Sequence, residues 1–142
     1  MKKNLVQKVL AFPFSVRQRT LSKNRSPLSK SDFVDSITQS GGDQEAAEIV
    51  HSRLQDWIYY EGFTAYPDDS LSSVFGIAEE ELDEDLILDI FMERSLSTPS
   101  QQEVTTFDPI DTPTGVAQLV ALARSTMRIR NPPTKLWRSS LH

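Results

Sequence analysis

Apolar residues recur at helical spacing in three separate stretches of the chain. The first stretch follows Asp43, which is a favourable N-cap, and it extends to about residue 60. Its apolar positions are separated by three or four residues, which places them on one face of an α-helix: Ala47, Val50, Leu54, Trp57 and Ile58. Gly62 is suited to a left-handed C-terminal cap. The pattern therefore predicts an amphipathic helix over residues 43–60.

The second and third stretches carry clear start signals. The second opens with three glutamates at positions 79–81, and the N-terminal end of a helix dipole favours their charge. A wide apolar face follows, made of Leu82, Leu86, Ile87, Ile90 and Phe91. The third starts with Thr112 as a predicted N-cap and Pro113 at the first helical position. It continues through Val116, Leu119, Val120, Ala123 and Met127.

These stretches and a shorter helix predicted over residues 31–37 define the fold class. Gly41 and Gly42 end the short helix, and the polar residues 95–111 form a long connection. No stretch alternates apolar and polar residues over a useful length, so no strand is predicted. We expect an all-α protein, a small four-helix bundle over residues 31–127 between flexible tails at residues 1–30 and 128–142.

The charge of the chain is divided into three blocks, although the net charge is only −5. Residues 1–30 contain eight lysines or arginines and no acid. Residues 31–123 contain all 20 acids and only two arginines, and residues 124–142 contain five basic residues and no acid. The sequence thus predicts an acidic helical domain flanked by two basic tails.

The N-terminal tail has several possible interpretations. Pro13 and Pro27 are expected to interrupt any continuous helix, so a disordered basic tail is the simplest of them. An organellar transit peptide also fits the acid-free composition, and residues 1–20 also fit a peripheral membrane segment attracted to anionic lipid. A further hypothesis is that one or both tails fold back on the acidic domain and screen its charge.

Composition argues against most catalytic and metal sites. The chain has no cysteine and two histidines, of which His142 is the last residue. His51 lies beside Val50 and Leu54 on the first predicted helix, where packing is the expected role. The acids of residues 79–85 lack the ligand spacing of a calcium loop. We therefore expect no enzymatic activity, no cofactor and no metal.

The order of elements resembles that of an acyl carrier protein. A long first helix is followed by a loop with Asp69-Ser70-Leu71, then by Gly76 before an acidic second helix and by a final helix that starts with threonine. In that family a serine at the start of the second helix carries the phosphopantetheine arm. The resemblance places Glu81 at the serine position, so it implies a carrier-like fold without a prosthetic-group site.

The resemblance also implies a docking surface on the second helix. On a helical wheel six residues share the side opposite the core, and we call this set the acidic face: Glu81, Glu84, Asp85, Leu88, Asp89 and Met92. Carrier proteins present a similar surface to basic partner enzymes. The sequence thus favours a non-catalytic interaction module that binds a basic protein surface. The alternatives are a genuine divergent acyl or peptidyl carrier and an unrelated helical adaptor.

Nucleic acid is not an expected partner, because a domain with 20 acids and two arginines repels phosphate. No apolar run reaches the roughly 18 residues that a membrane-spanning helix needs. We expect a cytoplasmic protein, with organellar targeting by residues 1–30 as the alternative. Trp137, in the basic C-terminal tail, has no role that the sequence assigns.

Overall fold

The computed structural model describes residues 5–99, 102, 106 and 110–126. These residues form five helices and no strand, which confirms the all-α prediction for this part of the chain. The first three helices are α1 (Leu5–Asn24), α2 (Lys30–Gln39) and α3 (Gln44–Leu54), which a 3₁₀ turn extends over Gln55–Trp57. The predicted C-terminal tail, including Trp137, lies outside the described residues.

The last two helices are α4 and α5. Helix α4 starts as an α-helix over Glu79–Glu81, continues as a π-helix over Leu82–Ile87 and ends as an α-helix over Leu88–Glu93. Helix α5 spans Pro113–Thr126. The Thr112 hydroxyl accepts a hydrogen bond from the Gly115 N–H at 3.1 Å, as its predicted N-cap role requires.

Helix α3 lies at the centre and packs against α2, α5 and the end of α4. Its predicted N-cap is confirmed, because the Asp43 carboxylate accepts a hydrogen bond from the Ala46 N–H at 2.9 Å. The regular α-helix ends at Leu54, earlier than expected, and Gly62 adopts its positive φ of 90° in a later turn. Large core side chains come from all four helices α2–α5 and from the loop between α3 and α4: Phe33, Ile37, Val50, Leu54, Leu71, Phe75, Ile87, Ile90, Phe91, Val116 and Leu119.

The loop between α3 and α4 is held against the segment before α5. The Leu71 N–H donates to the Asp111 carbonyl at 2.7 Å, and the Thr114 N–H donates to the Pro67 carbonyl at 3.2 Å. Within this loop Gly76 has a φ of 75°, a conformation that side chains disfavour. These contacts fix the chain immediately before α4 begins.

The N-terminal segment differs from the disordered tail that the sequence predicts for residues 1–30. Its residues 5–24 form α1, and Pro13 lies inside this helix. A proline leaves the carbonyl four residues earlier without its helical hydrogen bond. Here that residue is Val9, whose exposed position gives its carbonyl access to water, and Pro13 is exposed as well. Water can thus replace the missing hydrogen bond, which lowers the cost of a proline inside this helix.

Candidate functional site

Helix α1 is anchored to the acidic domain by a buried glutamine. The Gln18 side chain is 0% exposed. Its amide N–H groups donate to the carbonyls of Trp57 and Val74, each at 3.0 Å. Its amide oxygen accepts from the backbone N–H groups of Tyr59 at 2.8 Å and Tyr60 at 3.2 Å. One side chain thus satisfies four backbone groups in two loop segments.

Arg25, just after the end of α1, provides a second anchor. Its guanidinium donates to both oxygens of Asp69, at 2.7 and 2.8 Å, and to the Thr64 carbonyl at 3.0 Å. It also lies over the rings of Phe63 and Tyr66, at 5.1 and 3.9 Å from their centroids. Such a forked, stacked arrangement is specific to arginine. The N-terminal segment does fold back on the acidic domain, as one of the hypotheses above states.

A third contact packs the Phe14 ring of α1 against Gly76. A Cβ atom at Gly76 would lie 2.7 Å from Phe14 Cε2, closer than non-bonded carbons approach each other. Glycine at this position therefore serves two purposes, because it permits both the positive φ and the close approach of α1.

Replacing Gly76 by alanine should lower the free energy of unfolding by about 2–3 kcal/mol, from backbone strain and from the clash with Phe14. Gly62→Ala is the matched control, since Gly62 has a similar φ of 90° but open space at the Cβ position. It should cost only about 1–2 kcal/mol. Urea unfolding of both variants measures the difference, and equal losses would contradict the proposed Phe14 contact.

A groove of about 580 Å³ lies between α1 and the domain. Leu10 and Phe14 of α1 line one part, and the residues across it belong to α3, its 3₁₀ turn, the following loop and α4: Arg53, Asp56, Trp57, Tyr59, Gly76, Ile77, Glu81, Asp85 and Leu86. Burial raises the pKa of the Tyr59 phenol, and the Glu81 charge raises it further. The groove therefore combines apolar walls with carboxylates and a neutral phenol.

The six residues of the predicted acidic face do not all share one environment. Glu84, Asp85 and Met92 are exposed, and the Met92 side chain is the most exposed of them at 75%. Leu88 is half-buried against the core. Asp89 pairs with Arg53 of α3, which also pairs with Glu93. Only part of the predicted face is thus open to a partner.

A π-helix in α4 changes how these six residues are arranged around the helix axis. In a π-helix the hydrogen bonds connect residues five apart, so each turn holds more residues than in an α-helix. Residues before and after Leu82–Ile87 therefore do not lie where a regular helical wheel places them. Glu81 and Asp85 line the groove beside α1, and Asp89 pairs with Arg53, which lines the same groove.

Glu81, at the position where the resemblance expects the serine, has a local structural role. Its carboxylate accepts a hydrogen bond from the Ala78 N–H, 3.1 Å away, at the start of α4. Such a bond satisfies one of the backbone donors that a helix start leaves without a partner. The side chain thus helps to define where α4 begins.

Three serines before Gly76, namely Ser70, Ser72 and Ser73, form hydrogen bonds with one another or with Asp111. The Ser70 hydroxyl donates to the Asp111 carboxylate and accepts from the Ser73 N–H at 3.0 Å. The Ser72 N–H donates to the other carboxylate oxygen of Asp111 at 2.9 Å. This arrangement joins the loop to the start of α5.

Asp43 forms a charge cluster at the other end of α3. Its buried carboxylate receives hydrogen bonds from Arg94, just after α4, at 3.2 Å, and from Arg124 of α5. Burial by itself would raise the pKa of Asp43, but the hydrogen bonds from Ala46, Arg124 and Arg94 hold it below its ordinary value. The cluster joins three helices through one carboxylate.

His51 lies away from this cluster and makes a packing contact. Its ring meets the Phe33 ring edge to face, with 5.0 Å between the centroids. Burial lowers the pKa of His51, and the positive charge of Lys30 lowers it further. A half-buried imidazole against a core phenylalanine fits the packing role that the sequence suggests.

Two classes of feature are missing from the part of the chain that the structure describes. No group of three or more histidines and acids there could hold a metal ion. No helix there is both long and apolar enough to cross a membrane.

Comparison of this chain with known proteins found no relative. No protein-family profile, no curated protein and no solved structure matches it.

Proposed function

We propose that the chain is a non-catalytic interaction module resembling an acyl carrier protein, which binds a basic protein surface through the open part of the acidic face of α4, namely Glu84, Asp85 and Met92. One observation carries the proposal: a large apolar side chain, Met92, is 75% exposed on a helix whose other exposed side chains are acidic. Complementary charge speeds encounter between proteins, and apolar side chains supply contact area at the centre of an interface.

The distribution of ion pairs supports α4 as the docking surface. Arg53 compensates part of the negative charge at the end of α4 by pairing with both Asp89 and Glu93. In contrast, neither Glu84 nor Asp85 forms an ion pair with any residue that the structure describes. Their uncompensated charges would attract a basic partner, which would gain ion pairs without breaking existing ones.

The role of Glu81 supports a module that works without a prosthetic group. A carboxylate cannot carry a phosphodiester-linked arm, and the hydrogen bond to Ala78 gives this residue a structural role instead. A genuine carrier would need another serine as its attachment point. The intact mass of the protein from its native host distinguishes the two, because a phosphopantetheine increment would establish the carrier alternative.

Reversing two charges on the acidic face tests the proposal. We expect the double variant Glu84→Lys with Asp85→Lys to bind the cognate basic partner about tenfold more weakly, a loss of about 1.4 kcal/mol. The partner is first isolated by cross-linking in lysate of the native host, and affinities are then measured with purified proteins. Both residues are exposed, so the variant should unfold at the same urea concentration as the wild type.

The matched control is Asp35→Lys with Glu48→Lys. These acids are exposed on α2 and α3, and their reversal changes the net charge by the same amount. The control should retain wild-type affinity. Equal losses in both variants would indicate attraction by net charge alone, and no loss in either would remove α4 from the interface. Either result would refute the proposed docking face.

A further inference from the structure

Helix α1 is apolar on two sides. Its inner side packs on the domain through positions separated by three or four residues, namely Ala11, Phe14, Gln18 and Leu21. Its other side exposes Val9 at 63%, Phe12 at 66% and Val16 at 47%, and we call these three residues the outer ridge. Leu10, 70% exposed, lies at the edge of the groove beside Phe14. Because both sides contain apolar residues, the sequence pattern shows no single apolar stripe.

The outer ridge is unusual within the described part of the protein. Only two other large apolar side chains are similarly exposed there, Leu10 at the edge of the groove and Met92 of α4. The ridge collects the other three within eight residues of one helix. Val9, Phe12 and Val16 are separated by three and four residues, so they lie along one side of α1. Concentration of this kind marks an interaction surface, whereas single exposed apolar residues are normal.

The charge around the ridge identifies the kind of partner. Residues 1–30 contain eight basic residues and no acid. Arg17 donates to the Ser73 carbonyl and Arg25 pairs with Asp69, so these two are engaged within the protein. Arg19 and Lys23 are exposed further along α1 and form no ion pair with the residues that the structure describes.

We infer that the outer ridge of α1 docks on an anionic lipid surface. A helix with apolar side chains on one side and basic residues beside them lies in the plane of a membrane interface, with the apolar side in the acyl boundary and the cations at the headgroups. This inference goes beyond the proposed function, because α4 would remain available to a protein partner.

The anchors of α1 make this mode of binding possible in the folded protein. Gln18 and Arg25 hold the inner side of the helix, so the ridge faces outward without any unfolding. The outer ridge is not suited to the basic protein partner proposed for α4, because the basic residues 1–30 would repel that partner. Conversely, an anionic membrane repels the acidic residues 31–123 and attracts the basic segments on either side of them, of which the N-terminal one carries the outer ridge.

Vesicle flotation with the full chain tests the inference. We expect binding to vesicles of phosphatidylcholine mixed with phosphatidylglycerol, weak binding to phosphatidylcholine alone, and loss of binding at high salt. The variant Phe12→Ser with Val16→Ser should bind the mixed vesicles about tenfold more weakly or worse. Met92→Ser is the control, since it removes an even more exposed apolar side chain, 75% exposed, from α4 instead of α1, and it should bind the mixed vesicles like the wild type.

A second variant, Arg19→Gln with Lys23→Gln, tests the charge contribution and should also weaken binding to the mixed vesicles. Three results would overturn the inference. The first is absence of wild-type binding to the mixed vesicles at low salt. The second is wild-type binding by the Phe12 and Val16 variant, which would leave the ridge without a role. The third is self-association in sedimentation that the same variant abolishes, which would make a second copy of the chain the occupant.

Discussion

Replacing Gln18 by leucine should lower the free energy of unfolding by about 3–5 kcal/mol, one of the two largest effects that we expect in this protein. Leucine has a similar volume but no polar atoms, so two carbonyls and two N–H groups of the loop would lose their partner. Each buried polar group left without a hydrogen bond costs about 1–3 kcal/mol, and partial access of water reduces the total.

Urea unfolding followed by circular dichroism measures this loss. Thr20→Ala is the control on the same helix, because the exposed Thr20 hydroxyl bonds only to the Val16 carbonyl within α1. It should change stability by less than about 0.5 kcal/mol. If Gln18→Leu were as stable as this control, α1 would not be an integral part of the folded domain.

Removing the charge of Asp43 should have a comparable effect. In the variant Asp43→Asn the side-chain amide could still cap α3, but Arg94 and Arg124 would lose the carboxylate that they share. Arg94 is largely buried and would keep its ion pair with the exposed Glu45, and Arg124 is half exposed, so we expect a loss of about 2–4 kcal/mol at neutral pH. Ser29→Ala, at the exposed N-cap of α2, should cost only about 1 kcal/mol.

The dependence on pH gives this prediction a second readout. The pKa of Asp43 is lower in the folded protein than in the unfolded chain. Its contribution is therefore fully present above the unfolded pKa of about 3.9 and is lost as the pH falls through the lower folded value. The stability of Asp43→Asn relative to the wild type should thus improve below about pH 4. A difference that stays constant from pH 7 to pH 2 would exclude the charge as its cause.

Local signals in the sequence predict the helices of the acidic domain well. Asp43 and Thr112 act as N-caps through their own side chains, and Glu79 opens α4 as the helix dipole favours. An N-cap depends only on residues within one helical turn, so the local sequence is enough to predict it. The end of α3 is harder to predict, since the apolar spacing continues through Trp57 although the regular helix stops at Leu54.

The sequence does not predict α1, because the contacts that stabilise this helix involve residues far along the chain. Pro13 and the basic composition argue against an ordered helix, while the partners of Gln18 lie 39–56 residues away. One signal does exist: Ala11, Phe14, Gln18 and Leu21 are separated by three or four residues. The exposed apolar residues of the outer ridge, interleaved with them, conceal this pattern.

The candidate site on α4 was predictable in composition but not in geometry. The sequence correctly identifies Glu84, Asp85 and Met92 as exposed positions. It does not identify the π-helix, because a helical wheel assumes the same number of residues per turn throughout α4. Nor can it show that Arg53, on another helix, pairs with both Asp89 and Glu93. Contacts between helices decided which part of the surface remains open.

The anchoring of α1 also determines the order in which the protein can fold. Ribosomal synthesis makes this helix before the domain on which it packs, yet Gln18 has no binding partner until residues 57–60 and 74 have been made. Closing so long a loop is slow compared with forming a local helix. During that interval the nascent chain exposes the apolar residues on both sides of α1. We therefore expect chaperones to bind the nascent protein at this helix.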